Sequence, residues 1–312
     1  MNYRFALLAL ALVSPADAQP SDFETYAASC AAQVAEIPAI NCGEGVLVPI
    51  TVNGATPEQY TKDMTCDRPG LLPNGEGSDG QCVPGSRILD LSTDRAQITV
   101  MCRQKNIRNP IDALVFNEID IIAHNPASGA TCWFQAEAEA GQPFDGRNVP
   151  SPNAPNAAQF WNPIKDVLTA DCGGCHDNDP IMYSPFLGQV WGEIATNPLG
   201  LYFHIEPEMG FDKWPVTSLN PRDNTCLGCH RIGIQETCGN LLEQAVGNVP
   251  VAGADAYAGT FPGNTYMPPD HGLTQLAWNT IHQSSVATLQ SCCRDSTQQH
   301  CNARPIPAFP VE

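Results

Sequence analysis

Hydrophobic positions follow two different periods along this chain. A short helix is predicted after residue 19, where Phe23, Tyr26, Cys30 and Val34 share one face and Pro38 ends the pattern. Runs rich in β-branched and aromatic residues, bounded by Gly, Pro and Asn, then predict strands. These runs are residues 46–52, 86–91, 96–103, 114–124 and 131–136. A small β-rich N-terminal domain is therefore predicted over residues 19–145.

Helical spacing returns in the second half of the chain. Three apolar stripes predict helices, and loops rich in Gly and Pro separate them. They cover residues 160–168, 238–245 and 273–293. Residues 146–158 are rich in Pro and Asn and predict a linker. The expected fold class is therefore α+β, with the disulfide-stapled β-rich domain followed by a mainly helical, loop-rich domain over residues 159–312.

The first eighteen residues have the pattern of an export signal. An apolar run at residues 5–13 is followed by Ala16-Asp17-Ala18, the small-x-small pattern of a cleavage site. No run approaches the about 18 apolar residues that a membrane-spanning helix needs. The sequence predicts a signal peptide at residues 1–18, no membrane span, and export to the periplasm or the extracellular space.

The chain is strongly acidic. It has 33 Asp and Glu against 15 Lys and Arg, a formal net charge of −18. Such a charge repels nucleic acid and anionic membranes, and we expect neither as a partner. It favours basic protein partners, although solubility alone would also explain it.

Fourteen cysteines indicate an oxidising compartment. Four of them belong to two short motifs described below, and the even number that remains predicts disulfides. We expect residues 63–86, a Gly/Pro-rich segment, to be a stapled loop. The expected pairs are Cys30–Cys42, Cys66–Cys82 and Cys102–Cys132, with Cys238 and Cys301 each bonded to one of the adjacent Cys292 and Cys293.

The two motifs both read C-x-x-C-H. They are Cys172-Gly-Gly-Cys175-His176 and Cys226-Leu-Gly-Cys229-His230. This pattern is typical of covalent haem attachment, in which two thiols bond the porphyrin and the histidine binds the iron. A structural zinc site or a pair of redox disulfides are the alternatives, but neither requires histidine at the fifth position twice. The sequence predicts two haem c groups, with His176 and His230 as the proximal iron ligands.

Four residues are candidates for the distal side of the irons. Met267 precedes Pro268-Pro269, which would stiffen a loop holding a thioether ligand, although a gap-filling Met is the alternative. His124, at the end of a predicted strand, and His204, between the motifs, could each bind an iron or be hydrogen-bonded structural histidines. His282 lies on the apolar face of the last predicted helix and is a weaker candidate.

With its signal pattern, two C-x-x-C-H motifs and Met-Pro-Pro loop, the chain resembles a dihaem c-type cytochrome. Residues 129–135 and 175–181 also resemble, more loosely, an uncharacterised group of exported bacterial cytochromes with a Cys-rich N-terminal half. Bacterial dihaem peroxidases are similar in having two such motifs. Their motifs lie in successive cytochrome-like domains, however, whereas 54 residues separate Cys172 from Cys226 here. We therefore expect the two haems to share one core, within a dihaem cytochrome c domain at 159–312.

This resemblance implies electron transfer. The expected function is to pass single electrons between redox protein partners, or along a periplasmic or extracellular conduit formed by self-assembly. The sequence favours such a carrier over a catalyst. The alternatives are a peroxidase-like or small-molecule oxidoreductase with one open iron site, and a haem-containing sensor or binding module.

Overall fold

A six-stranded sheet forms the centre of the protein. The computed structural model describes residues 21–68, 70, 77–196, 198–214, 216–246 and 274–306. The strands are β1 Val46–Leu47, β2 Arg87–Asp90, β3 Gln97–Arg103, β4 Val115–Phe116, β5 Glu118–His124, β6 Ala130–Glu137, β7 Phe144–Asp145, β8 Phe203–His204, β9 Thr217–Ser218 and β10 Arg304–Pro305. The main sheet has the order β1-β2-β3-β5-β6-β8, while β4 pairs with β7 and β9 with β10. All neighbours in the main sheet are antiparallel except β6 and β8, which run parallel.

The described residues also form six α-helices. They are α1 Asp22–Gln33, α2 Ile164–Ala170, α3 Cys172–Cys175, α4 Pro185–Gly188, α5 Leu242–Ala245 and α6 Gln275–Arg294. Helix α1 begins at a capping box formed by Ser21 and Glu24, which satisfies backbone donors at the helix start. The predicted helices near residues 23–34 and 273–293 are confirmed. Among the described residues, no helix is both long and apolar enough to cross a bilayer.

One face of the sheet is apolar and covered by helices. Ile98, Val100, Ile119, Ile121 and Phe134 alternate along β3, β5 and β6, and we call this the helical face. Helix α1 packs on it through Phe23, whose ring centroid lies 5.9 Å from that of Phe134. Helix α2 packs beside α1 and β6. This core is the largest apolar cluster among the described residues.

The opposite face carries polar side chains between apolar ones. Thr99, Arg103, Glu118, His124 and Trp133 alternate with the helical-face residues, and we call this the polar face. Its β2–β3 end is apolar, because Ile88 and Met101 pack against Ile181, Phe186 and Val190. These three residues follow the first C-x-x-C-H motif. The chain therefore crosses the polar face directly after that motif.

The fold-class prediction is wrong, because the second half of the chain is not a mainly helical cytochrome domain. Strand β8 lies in this half and extends the main sheet, pairing with Ala130 and Thr131 of β6. Between α3 and α5 the helices are single turns, since prolines such as Pro180, Pro198, Pro207 and Pro221 remove backbone donors. The result is a mixed sheet core with short helices around it. The predicted boundaries around residues 146–158 stay a prediction.

Five disulfides confirm that cysteine pairing staples this fold. Cys66–Cys82 forms as predicted, and Cys238–Cys293 and Cys292–Cys301 use the adjacent cysteines as expected. The predicted pairs Cys30–Cys42 and Cys102–Cys132 are wrong. The bonds are Cys30–Cys132 and Cys42–Cys102, spanning 102 and 60 residues. The sheet explains the difference, because it brings β3 and β6 to segments far away in sequence.

Candidate functional site

Four cysteines remain as free thiols, and all of them belong to the two C-x-x-C-H motifs. All fourteen cysteines lie in the described part of the chain, and ten form the disulfides. The free ones are Cys172, Cys175, Cys226 and Cys229. The fold thus leaves unpaired only the thiols that covalent attachment of two haems would use.

The first motif forms a single helical turn that packs against Trp214. Helix α3 begins after Asp171, whose backbone is left-handed with φ 53°. Its thiols stand at positions i and i+3, so Cys172 and Cys175 point to the same side of the turn. Gly173 is required here, because a Cβ at this position would lie 2.3 Å from Cδ2 of Trp214. The turn is thus seated directly against an aromatic ring.

His176 has the tautomer that a metal ligand needs. Its backbone N–H donates to Cys172 O at 2.9 Å, and its Nδ1 lies 2.9 Å from Pro180 O. A carbonyl only accepts, so Nδ1 carries the proton and Nε2 keeps its lone pair. Removal from water lowers the pKa of His176 to about 4, so the ring is neutral at pH 7. A ring N–H donated to a backbone carbonyl is the usual support of a metal-binding histidine.

An aromatic cluster encloses this histidine. The ring of Trp133, on the polar face, lies 5.1 Å from that of His176 and 6.1 Å from that of Trp214. Tyr202, just before β8, donates its hydroxyl to His176 O at 2.7 Å. His204 accepts from Nε1 of Trp133 at 3.0 Å. The first motif therefore lies beside the polar face, in surroundings poor in water.

The second motif lies at the surface of the described part of the chain. Residues Thr225–Gly228 form a 3-10 turn, and His230 N donates to Cys226 O at 3.1 Å. Cys229 is exposed, while burial lowers the pKa of the half-buried His230. Helix α6 holds this turn through the buried Ser285, whose Oγ accepts from Thr225 N at 2.9 Å.

The residues that follow the two motifs are bonded to each other. Arg231 donates through Nη1 to Asp179 Oδ1 at 3.0 Å and through Nη2 to Gly200 O at 2.7 Å. Asn178 donates to Arg231 O at 2.7 Å. Both side chains of the ion pair are only 10% exposed. The segments that follow the two motifs are therefore in contact, although Cys172 packs against the core of the main sheet and Cys226 against a separate apolar cluster. A core shared by two haems stays a prediction.

Asp177 strengthens this junction. Its carboxylate accepts from Gln235 N at 2.6 Å and from the hydroxyl of Thr237 at 2.5 Å. A Cβ on Gly233 would lie 2.1 Å from Cγ of Asp177, so the chain after the second motif approaches this carboxylate closely. Burial raises the pKa of Asp177 to about 6, against the opposing effect of these hydrogen bonds.

In the described residues the free thiols are not gathered with a third potential metal ligand. Among the described residues, only Cys292, His300 and Cys301 bring three potential ligand atoms together, and both of these cysteines are in a disulfide. Burial raises the pKa of Cys172 and Cys226, and that of Cys175 to about 11. Burial thus favours the thiol form of these three cysteines in the metal-free protein. Haem attachment consumes thiols by adding S–H across a vinyl group.

Polar atoms without partners concentrate on the polar face. Seven buried side-chain polar atoms in the described residues have no hydrogen-bond partner, and five belong to this face. They are Gln97 Oε1, Thr99 Oγ1, Arg103 Nε, His124 Nε2 and His204 Nε2. Each such atom costs about 1–3 kcal/mol if nothing satisfies it. A bound group that brings polar atoms and a metal to this face fits the residues present.

The candidates for distal iron ligands lie in different parts of the structure. His124 is fully buried at the end of β5, and His204 lies in β8. His282 places Nδ1 3.0 Å from Oγ1 of Thr225, beside the second motif. Met267 lies outside the described residues. Their roles as iron ligands stay predictions.

Sequence reasoning missed the residues that join the motifs. Asp177 and Asp179 follow the first motif directly, and Arg231 follows the second. Opposite charges directly after two matching motifs are a signal that could have pointed to this contact. Trp133 carried no such signal, because its position over His176 depends on the sheet register.

Comparison with known proteins gives no match for this chain. No protein-family model matches it, and no curated protein or solved structure does.

Proposed function

We propose that this chain is an exported dihaem c-type cytochrome that transfers single electrons. The observation that carries the proposal is the division of its cysteines. Ten are consumed by disulfides, while the four thiols of the two C-x-x-C-H motifs stay free. The resemblance to dihaem c-type cytochromes rests on the same motifs.

Each motif would hold one haem. Cys172 and Cys175 would bond the first, Cys226 and Cys229 the second, each by adding a thiol S–H across a vinyl C=C bond to give a thioether. His176 and His230 would bind the irons. The haems, when bound, supply the one-electron redox chemistry. The chain supplies the neutral His176 imidazole, the aromatic contacts of Trp133 and Trp214, and the hydrogen bonds that join the two motif segments.

The junction between the motifs supports electron transfer over two independent haem functions. Arg231 directly follows His230, Asp179 lies three residues after His176, and their buried ion pair joins the two motif segments. Two haems held close together in this way could exchange electrons. The net charge of −18 favours basic redox partners, with assembly of the chain with itself as an alternative. Disulfides and the signal pattern support a periplasmic or extracellular location.

A second candidate function is a haem enzyme or sensor that works at the second motif. It is favoured by the surface position of this motif, where Cys229 is exposed and His230 half-buried. An iron there would be reachable by peroxide or another small molecule, provided that no second protein ligand binds it.

Mass spectrometry and visible spectra test these proposals together. The chain is expressed with a c-type haem maturation system, and the intact mass should show two covalently added haems. Replacing Cys172 and Cys175 with Ala should remove one haem, and replacing Cys226 and Cys229 should remove the other. An intact mass without added haem would overturn the proposal. Two low-spin haems that ignore carbon monoxide would support the carrier, whereas a haem that binds it would support the enzyme or sensor.

A further inference from the structure

We propose that His124 is the second axial ligand of the haem held by the first motif. This inference rests on the proposed function. A haem attached at Cys172 and Cys175 would then have two histidine ligands. His176 would bind the iron on one side, and His124, at the end of β5, would bind it on the other.

The hydrogen bonds of His124 fix its tautomer. Its Nδ1 lies 2.9 Å from Oγ1 of Thr131, and the Thr131 hydroxyl donates its only proton to Gly129 O at 3.1 Å. Oγ1 must therefore accept from His124, so Nδ1 carries the proton and Nε2 bears a lone pair. This matches His176, whose Nδ1 donates to Pro180 O.

The lone pair of His124 has no partner in the described residues. The residue is 0% exposed, and its Nε2 is among the buried atoms that make no hydrogen bond. A buried acceptor that only a donor or a metal can satisfy is rare in folded proteins. Its backbone is fixed between β3 and β6, because Gln97 and Thr131 are its cross-strand neighbours. A ligand of this kind is held in place before the metal arrives.

His204 differs from His124 although it lies in the same row of the sheet. Nε1 of Trp133 can only donate, and it donates to His204 Nδ1 at 3.0 Å. Neutral His204 therefore carries its proton on Nε2, the atom that would have to face the iron. Its orphaned Nε2 is a donor, whereas that of His124 is an acceptor. Of the two buried histidines, only His124 has a ring nitrogen free to bind iron.

Tyr202 connects His124 to the first motif. Its ring centroid lies 6.4 Å from that of His124, and its hydroxyl donates to the backbone O of His176 at 2.7 Å. The same tyrosine thus contacts the proximal histidine and the proposed distal one. The second motif has a histidine beside it, because His282 Nδ1 lies 3.0 Å from Oγ1 of Thr225.

The test uses the full chain with the second motif disabled by C226A and C229A, so that one haem remains. His124→Ala is compared with His204→Gln, whose amide can still accept from Trp133. The readouts are intact mass, the spin state from visible and electron paramagnetic resonance spectra, and carbon monoxide binding. We expect His124→Ala to keep its haem, convert it from low to high spin and gain carbon monoxide binding. His204→Gln should stay low-spin.

Two rescue experiments distinguish loss of an iron ligand from disorder of the His124→Ala variant. Added imidazole should return His124→Ala to the low-spin spectrum, and His124→Met should stay low-spin with a raised reduction potential. A low-spin His124→Ala protein, or loss of the low-spin spectrum in His204→Gln alone, overturns the inference. A His124→Ala protein that loses low spin without rescue by imidazole or Met also overturns it. A parent protein without added haem mass indicates instead that the proposed function has failed.

Discussion

Arg231 binds Asp179 at 3.0 Å across a gap of 52 residues in sequence, and the two residues lie one and three positions beyond the histidines of the two motifs. This ion pair sets the relationship between the two motifs. It is buried, and its partners make further hydrogen bonds to Asn178, Leu199 and Gly200. The contact between the two motif segments therefore depends on this one buried ion pair.

Replacing Arg231 with Met should destabilise the protein strongly. The change leaves Asp179 buried without its counter-ion, which typically costs about 3–5 kcal/mol. Chemical denaturation followed by circular dichroism measures the free energy of unfolding. Arg147→Met is the control, because the Arg147–Asp145 pair is more than half exposed and should contribute at most about 1 kcal/mol. Equal losses in the two variants would contradict the assignment of a buried ion pair.

Acidification should weaken the sheet at Glu118. Burial raises the pKa of this carboxyl, but the charges of Arg103 and Lys105 outweigh it and hold the pKa at about 2. Because the folded pKa lies below the unfolded value of about 4.3, this stabilisation is complete above pH 4.3 and lost as the pH falls toward 2. Glu118→Gln should flatten the pH dependence of the unfolding free energy in this window.

Asp120, the next polar-face residue on β5, should act in the opposite direction. Burial and the neighbouring Glu118 charge raise its pKa well above the usual value. As the pH rises above about 3.9, this carboxyl ionises in the unfolded chain while it stays protonated in the folded protein, so the free energy of unfolding falls. Asp120→Asn should remove that loss. If Glu118→Gln and Asp120→Asn change the pH profile in the same sense, the assignment of charge to Glu118 is incorrect.

The disulfide between Cys30 and Cys132 should stabilise more than the one between Cys292 and Cys301. The first closes a separation of 102 residues and the second only 9, so the first restricts the unfolded chain more. Replacing Cys30 and Cys132 with Ala should cost about 2–5 kcal/mol. Peptide mass mapping of the unreduced protein should first find Cys30–Cys132 and Cys42–Cys102 as linked pairs. Recovery of Cys30–Cys42 instead would contradict the sheet register.

A methyl group on Gly173 should disturb the first motif. Its Cβ would lie 2.3 Å from Trp214, so the turn or the indole must move, at a cost of about 1–3 kcal/mol. Gly173→Ala should also lower haem incorporation at the first motif, measured by intact mass. Gly192→Ala is the control, because nothing lies within 4 Å of its Cβ position. Equal haem content in both variants would show that Trp214 does not constrain the turn.

Local patterns predicted the parts of this structure that depend on local physics. The β-rich run at residues 114–124 and the helical spacing before Cys293 predicted β5 and α6, and the two C-x-x-C-H motifs can be read from the sequence alone. Strand β8 was not predicted, because two residues between prolines are too few to show a hydrophobic pattern. The Cys30–Cys132 bond was not predicted for a related reason, because its two cysteines meet only when β6 packs on α1. The tautomers of His124 and His204 depend on Thr131 and Trp133, which no sequence pattern pairs with them.

The parallel pairing of β8 with β6 has a consequence for the surroundings of the first motif. Cys172 and His176 lie in the connection between these strands, so the last strand cannot join the sheet without closing the chain around the first motif. The edge of the main sheet and the surroundings of the first motif are therefore built by the same stretch of chain, because His204 of β8 and the adjacent Tyr202 contact Trp133 and His176.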